Sequence, residues 1–182
     1  MELVYWISMI KSQEGFNLVE LLVAISIFGI LATMVTVNVR GGSSGRELAL
    51  QSENLTSLLR DAQVRALSGV PNQGQVPLGG YGVNVGTCST PPCSVTLFGD
   101  TNGNFALDGG EEIQTITLGN SIIVSSLSYN DPFTVLFKPP RPIICFGTDC
   151  SGVGQATITV GTLRSGATQD ITIDQISGRI SS

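Results

Sequence analysis

Histidine is absent from the 182 residues. That removes the commonest general base and the commonest transition-metal ligand, so Ser-His, Cys-His and His-zinc schemes are closed. Carboxylate or lysine chemistry has no recognisable nucleophile and base pair to work with, and the chain reads as something other than an enzyme. Four groups of residues could still bind or react: an oxygen-rich series from Asp100 to Glu111, four cysteines, one carboxylate (Glu20) inside an apolar run, and a C-terminal arginine, Arg179.

The oxygen series has a definite spacing. With Asp100 as position 1, Asn102 stands at 3, Asn104 at 5, Asp108 at 9 and Glu111 at 12, the ligand positions of a calcium loop. Position 6, where glycine permits the sharp turn, is Phe105, and Gly103 comes two residues earlier. No helical pattern flanks the segment. Calcium is the only cofactor the sequence suggests.

The cysteines form two close pairs, Cys88 with Cys93 and Cys145 with Cys150, all beyond the apolar run. Four cysteines allow three connectivities. Local pairing is the simplest in an oxidising compartment; free thiols or an all-cysteine zinc site are the alternatives, with x4 spacings at the wide end for metal knuckles.

These groups need elements to carry them. From Phe16 to Val39 the only charge is Glu20, and the 24 residues, at ~1.5 Å each, suffice to cross a ~30 Å hydrocarbon layer as a helix. A charge within such a span is costly and needs a partner. Next comes Gly41-Gly42-Ser43-Ser44-Gly45, expected to break or loosen the helix because each glycine costs nearly ~1 kcal/mol relative to alanine. A helix then resumes. Leu48, Leu55, Leu58, Leu59, Ala62, Ala66 and Leu67 recur at helical spacing, and Ser68-Gly69-Val70-Pro71 ends the pattern. From Tyr81 on, nine short runs read as strands: 81–85, 95–98, 113–118, 122–127, 134–137, 143–146, 156–160, 170–173 and 178–180. Several alternate, with Ile113, Thr115 and Thr117 opposing Gln114, Ile116 and Leu118. One helix followed by many strands gives an α+β fold, and roughly 140 residues beyond Arg40 suffice for one core. The net charge of −5 argues against a broad nucleic-acid surface. Asn54-Leu55-Thr56 is a glycosylation triplet, but it lies in the expected helix.

Gly15-Phe16 followed by Asn17-Leu18-Val19-Glu20-Leu21-Leu22 resembles the class III leader of type IV pilins and type II secretion pseudopilins. The resemblance implies that a prepilin peptidase cuts after Gly15 and that Phe16 becomes an N-methylated first residue. Glu20 would then meet the Phe16 amine of a neighbouring subunit during assembly. Two features depart from the pattern: Met1–Ser12 is apolar rather than basic, with Lys11 its one positive residue, and the Gly/Ser insert interrupts a spine helix that is continuous in the family.

Further on, Phe133–Phe137, Gln155–Val160, Ile171–Ile173 and Gly178–Ile180 look like the closing strands of GspH/FimT-type pseudopilins and minor pilins, and Leu58–Ala66 loosely resembles their helical segment. The same family has a loop similar to 98–111, which there need be only a polar β-connection whose Asx side chains bond their own backbone. Some members end in GRxR and bind DNA. Here Gly178 and Arg179 match, and Ser181 stands in place of the second arginine.

The expected organisation is a leader at 1–15, a transmembrane half-helix at 16–40, a Gly/Ser hinge at 41–45, an amphipathic half-helix at 46–68 and a β-rich globular domain at 69–182. The function implied is a minor structural subunit of a type IV pilus or type II secretion pseudopilus. It is held in the bacterial inner membrane with its β-domain outside the cytoplasm, then built into a filament. Its partners would be other pilin or pseudopilin subunits, the peptidase, the inner-membrane assembly platform and, before assembly, membrane lipid. The alternative is a pilus-displayed DNA-binding or adhesin module, with Arg179, Arg164 and Arg141 as its cations.

Overall fold

A computed structural model describes residues 17–72, 74–139 and 143–182, with only the backbone of residues 35–43. The chain divides into two compact units, Met1–Arg40 and Gly41–Ser182.

In the first unit, the described residues are helical. Helix α1 is Leu18–Ser68, so this unit holds its N-terminal part. Asn17 caps it: the Glu20 and Leu21 amides donate to the Asn17 carbonyl at 2.9 and 3.2 Å, and the Val19 amide reaches the Asn17 Oδ1 at 3.4 Å. Apolar side chains emerge on every side, from Leu18, 78% exposed, to Phe28, 72% exposed. Among the described residues no helix offers an 18-residue stretch apolar enough to cross a membrane. The described side chains of this run stop at Met34, whereas the run itself continues in sequence to Val39.

The backbone is helical through residues 41–45, where the glycines predicted an interruption. Propensity is a weak local preference, and helical turns on both sides supply the i to i−4 partners that keep such a stretch wound. The second unit begins within it. From Leu48 to Ala66 the expected stripe is buried at Leu48, Leu55, Leu58, Leu59, Ala62 and Ala66. Leu67 is exposed, one step round the helix from Ala66. Gly69, at φ 60°, takes the left-handed position that closes the helix.

Nine strands form, eight over the expected segments and the ninth displaced from 178–180 to 180–181 because Gly178 and Arg179 belong to the turn before it: β1 Gly80–Val85, β2 Ser94–Asp100, β3 Glu112–Thr117, β4 Ile122–Leu127, β5 Phe133–Lys138, β6 Ile143–Phe146, β7 Gln155–Thr162, β8 Thr168–Asp174 and β9 Ile180–Ser181. They make two antiparallel sheets, ordered β3-β2-β1-β5-β6 and β4-β7-β8-β9. The chain is therefore α+β. One core joins the helix stripe to both sheets, through Tyr81, Val83, Val85, Phe133, Val135 and Phe137 on one and Ile158, Val160, Ile171 and Ile173 on the other. Hydrogen bonds fasten the C-terminus to the helix, from Arg60 to the Ile180 carbonyl and from Gln63 to that of Gly178. Strand β3 departs from strict alternation. It lies at the sheet edge, a register shift falls between Leu97 and Phe98 on its neighbour β2, and neither of its faces is fully covered.

The face of the five-stranded sheet turned away from the helix has its own small apolar patch. Phe98, Gly82, Leu136 and Cys145 stand in register across β2, β1, β5 and β6. A Cβ on Gly82 would fall 2.8 Å from the Phe98 ring and 2.9 Å from a Leu136 methyl, so the glycine is what lets those two side chains close together. Phe105, Leu107 and Cys150 cover the patch.

Candidate functional site

The oxygen series becomes a connection between β2 and β3 that is closed on itself. Asp100 is fully buried; its Oδ1 accepts from the amides of Gly103 (2.7 Å) and Asn104 (3.2 Å), and its Oδ2 from that of Phe105 (3.0 Å). Glu111 is 4% exposed and works from the other end of the loop. Its Oε1 accepts from the Thr101 amide (2.8 Å) and hydroxyl (2.6 Å), and its Oε2 from the Asp108 amide (3.1 Å). The carboxamides of Asn102 and Asn104 both donate to Asp108 Oδ2 at 2.7 Å, while their oxygens accept the backbone amides of Asn104 and Ala106. All five residues singled out from the spacing are thus brought together.

What they do in this arrangement is hold the backbone. Each carboxylate collects N–H or O–H donors, and among the described residues no group of three or more His, Cys, Asp or Glu side chains is disposed to hold a metal ion. Burial works to raise the Glu111 pKa. The donors from Thr101 and Asp108 outweigh it and hold the carboxyl below its usual range. The packing is close: a Cβ on Gly79 would fall 1.8 Å from Asp100 Oδ2.

Phe105 makes the sharp turn expected of glycine, at φ 66°. A bulky side chain in that region is an outlier costing on the order of 1–3 kcal/mol. Its ring covers the Phe98, Leu136 and Cys145 patch, and Lys138 Nζ sits 5.4 Å from the ring centroid. Contact with that patch offsets the strain, which is why phenylalanine can stand at position 6.

The structure joins Cys88 to Cys93 and Cys145 to Cys150. The first bond closes the turn before β2, and Cys88 also exchanges backbone hydrogen bonds with Val124 of β4, at 3.0 and 3.1 Å, linking the two sheets. The second fastens the end of β6 to the turn that follows it.

Arg179 is exposed, in the turn before β9, and lines a cleft with Gln155, Thr172, Asp174, Ser177 and Ser181. The Asp174 carboxylate shares that cleft, its pKa lowered by hydrogen bonds from the Ser177 amide and hydroxyl. An approaching phosphate would meet one cation and one anion there. Arg164 is exposed on the turn after β7, and Arg141 lies outside the described residues.

Gly15 and Phe16, the expected cleavage and methylation point, also lie outside the described residues. Glu20 is described: it is exposed in the first turn of α1, where a carboxylate is favoured by the unpaired amides of the helix start. Sequence reasoning passed over two features here. The Asn17 cap was legible, since Asn17 and Glu20 have the N-cap and third-position spacing. The stack of Tyr129 on Phe133 (5.4 Å between centroids), with Phe146 tilted against both, was missed because Tyr129 lies in an irregular connection four residues before Phe133 and Phe146 comes from the next strand.

A model described as the prokaryotic N-terminal methylation motif matches residues 10–36, the segment containing Gly15, Phe16 and Glu20. This segment therefore carries the leader motif found on type IV pilin-like proteins. No curated protein and no solved structure matches it significantly.

Proposed function

We propose that this protein is a minor pilin or pseudopilin, a non-enzymatic subunit cut after Gly15, N-methylated on Phe16 and assembled into a type IV pilus or type II secretion pseudopilus. The methylation motif over residues 10–36 carries this reading. Exposure supports it from physics: a helix apolar on all sides, with Leu18, Ile25, Phe28 and Ile30 each at least 60% exposed, is stable in water only if something covers it. Lipid covers it before assembly, in the inner membrane, and the same segment of neighbouring subunits covers it afterwards.

Glu20 is the residue that makes the exchange directional. In an apolar surrounding an isolated carboxylate is costly, and the amine that proteolysis frees on Phe16 of another subunit is the cation that neutralises it. In cells carrying Glu20→Ala, the protein reaches the membrane at the normal level but its recovery in sheared filaments, or the secretion it supports, falls about tenfold or more. Normal incorporation of that variant would sink the role given to Glu20. The β-rich domain from residue 69 onward is then the part displayed along or at the end of the filament.

A further inference from the structure

A cavity of about 340 Å³ opens beside the loop that carries Phe105. Its floor lies on the face of β1 and β5 turned away from the helix. Two residues along from Gly82 and Leu136, Asn84 and Thr134 stand opposite each other in register. The Asn84 carboxamide donates to the Thr134 hydroxyl at 3.0 Å. That is the only side-chain bond either makes among the described residues, leaving the Asn84 oxygen, its second N–H and the Thr134 O–H free for a ligand. A polar pair at the end of an otherwise apolar face has no packing role that an apolar pair would not fill better.

The walls are aromatic and fixed. Phe105 is held at φ 66°, and Tyr129 is stacked on Phe133; Asn130 and Thr148 add an amide and a hydroxyl at the mouth. Among the described residues no carboxylate, ammonium or guanidinium lines the cavity. Lys138 Nζ lies over the Phe105 ring, outside the lining, so a charged ligand meets no counter-charge in the cavity wall itself. A purely hydrocarbon ligand would leave the Asn84 and Thr134 groups desolvated without partners.

A sugar ring has the matching surface. One of its faces is rich in C–H groups that pack on an aromatic ring, and its edge carries hydroxyls that both donate and accept. The volume is at the low end for small-molecule sites and suits a single residue of that kind. We propose that this cavity binds one neutral sugar residue, stacked on an aromatic wall and hydrogen-bonded to Asn84 and Thr134. The inference does not depend on the subunit reading, and either can fail alone.

The test is saturation-transfer NMR on the full chain in phosphocholine bilayer discs, with glucose, N-acetylglucosamine and the anionic glucuronate as probes. Transfer to the ring protons of at least one neutral sugar is expected, with a dissociation constant on the order of millimolar and little or no transfer to glucuronate. Asn84→Ala weakens binding about tenfold. Thr148→Trp, at an exposed position, blocks the mouth and removes the signal, and it decides the matter if Asn84→Ala unfolds. No transfer to either neutral sugar, stronger transfer to glucuronate, or undiminished binding in Thr148→Trp would overturn the proposal.

Discussion

Leu21 and Leu59 are the same residue type in the same kind of secondary structure, yet Leu21 is 56% exposed and Leu59 is completely buried. The contrast extends to their surroundings. Around Leu59 an apolar stripe on one side of the helix meets two sheets, and the polar side faces water; around Leu21 there is no polar side at all beyond Glu20 and two serine or threonine hydroxyls bonded back to the helix, at Ser26 and Thr33. A globular unit satisfies itself. The described N-terminal helix has no polar side to turn to water, so its apolar surface is one that water alone does not satisfy.

The largest effects that would break this comparison lie in the globular unit. Leu59→Ala should cost about 2–5 kcal/mol of its stability in a denaturant titration, as expected for a cavity in a close-packed core. Leu21→Ala should leave that transition within about 0.5 kcal/mol of wild type and act instead on partition into lipid. Equal destabilisation by the two would mean that the N-terminal helix is part of the same core. Next in size is Asp100→Ala, which strips the part-buried Gly103 and Phe105 amides of their acceptor, while the Asn104 amide keeps Asn102 Oδ1, and should cost roughly 2 kcal/mol, measured the same way. Replacing Cys88 and Cys93 by serine removes a short-loop crosslink worth about 2 kcal/mol, and the loss should appear as a lower unfolding midpoint with an unchanged slope.

Smaller effects sharpen the reading of the 100–111 loop. Glu111, Asp131, Asp149 and Asp174 all have carboxyl pKa values held below the ordinary range. A group whose folded pKa is depressed contributes stability above its unfolded pKa and loses it as pH falls through the folded one. The melting temperature should therefore hold from neutral pH to about 5 and drop below about 4, and Glu111→Gln should flatten part of that drop. Smallest of all is the response to calcium. With the loop's carboxylates already accepting from backbone and side-chain donors of the loop itself, millimolar calcium or a chelator should leave the melting temperature unchanged, whereas a rise with calcium concentration would mark a site that binds the ion.

How much of this could be read from the residues alone follows from how local each cause is. The helix stripe and the nine strands were legible because burial imposes periods of 3.6 and 2 on the sequence, and the two disulfides because their partners are five positions apart. The pairing of β1 with β5, across three intervening strands, was not: no short segment encodes which distant edge it meets. Phe105 shows the same limit within the candidate site. Its spacing argued against a sharp turn, and only the apolar patch of Phe98, Leu136 and Cys145, drawn from three strands, explains why the turn forms. At 41–45 the local preference of the glycines against helix yields to the turns that flank it, and the division between the two units still falls there, at Arg40 and Gly41.

The subunit reading turns on a cation that does not exist until the chain is cut. Mass spectrometry of the native protein isolated from its membrane or filament tests this directly. The expected result is a chain beginning at Phe16 with a single methyl group on its amine. A native protein that keeps residues 1–15 would contradict it, leaving Glu20 without its partner.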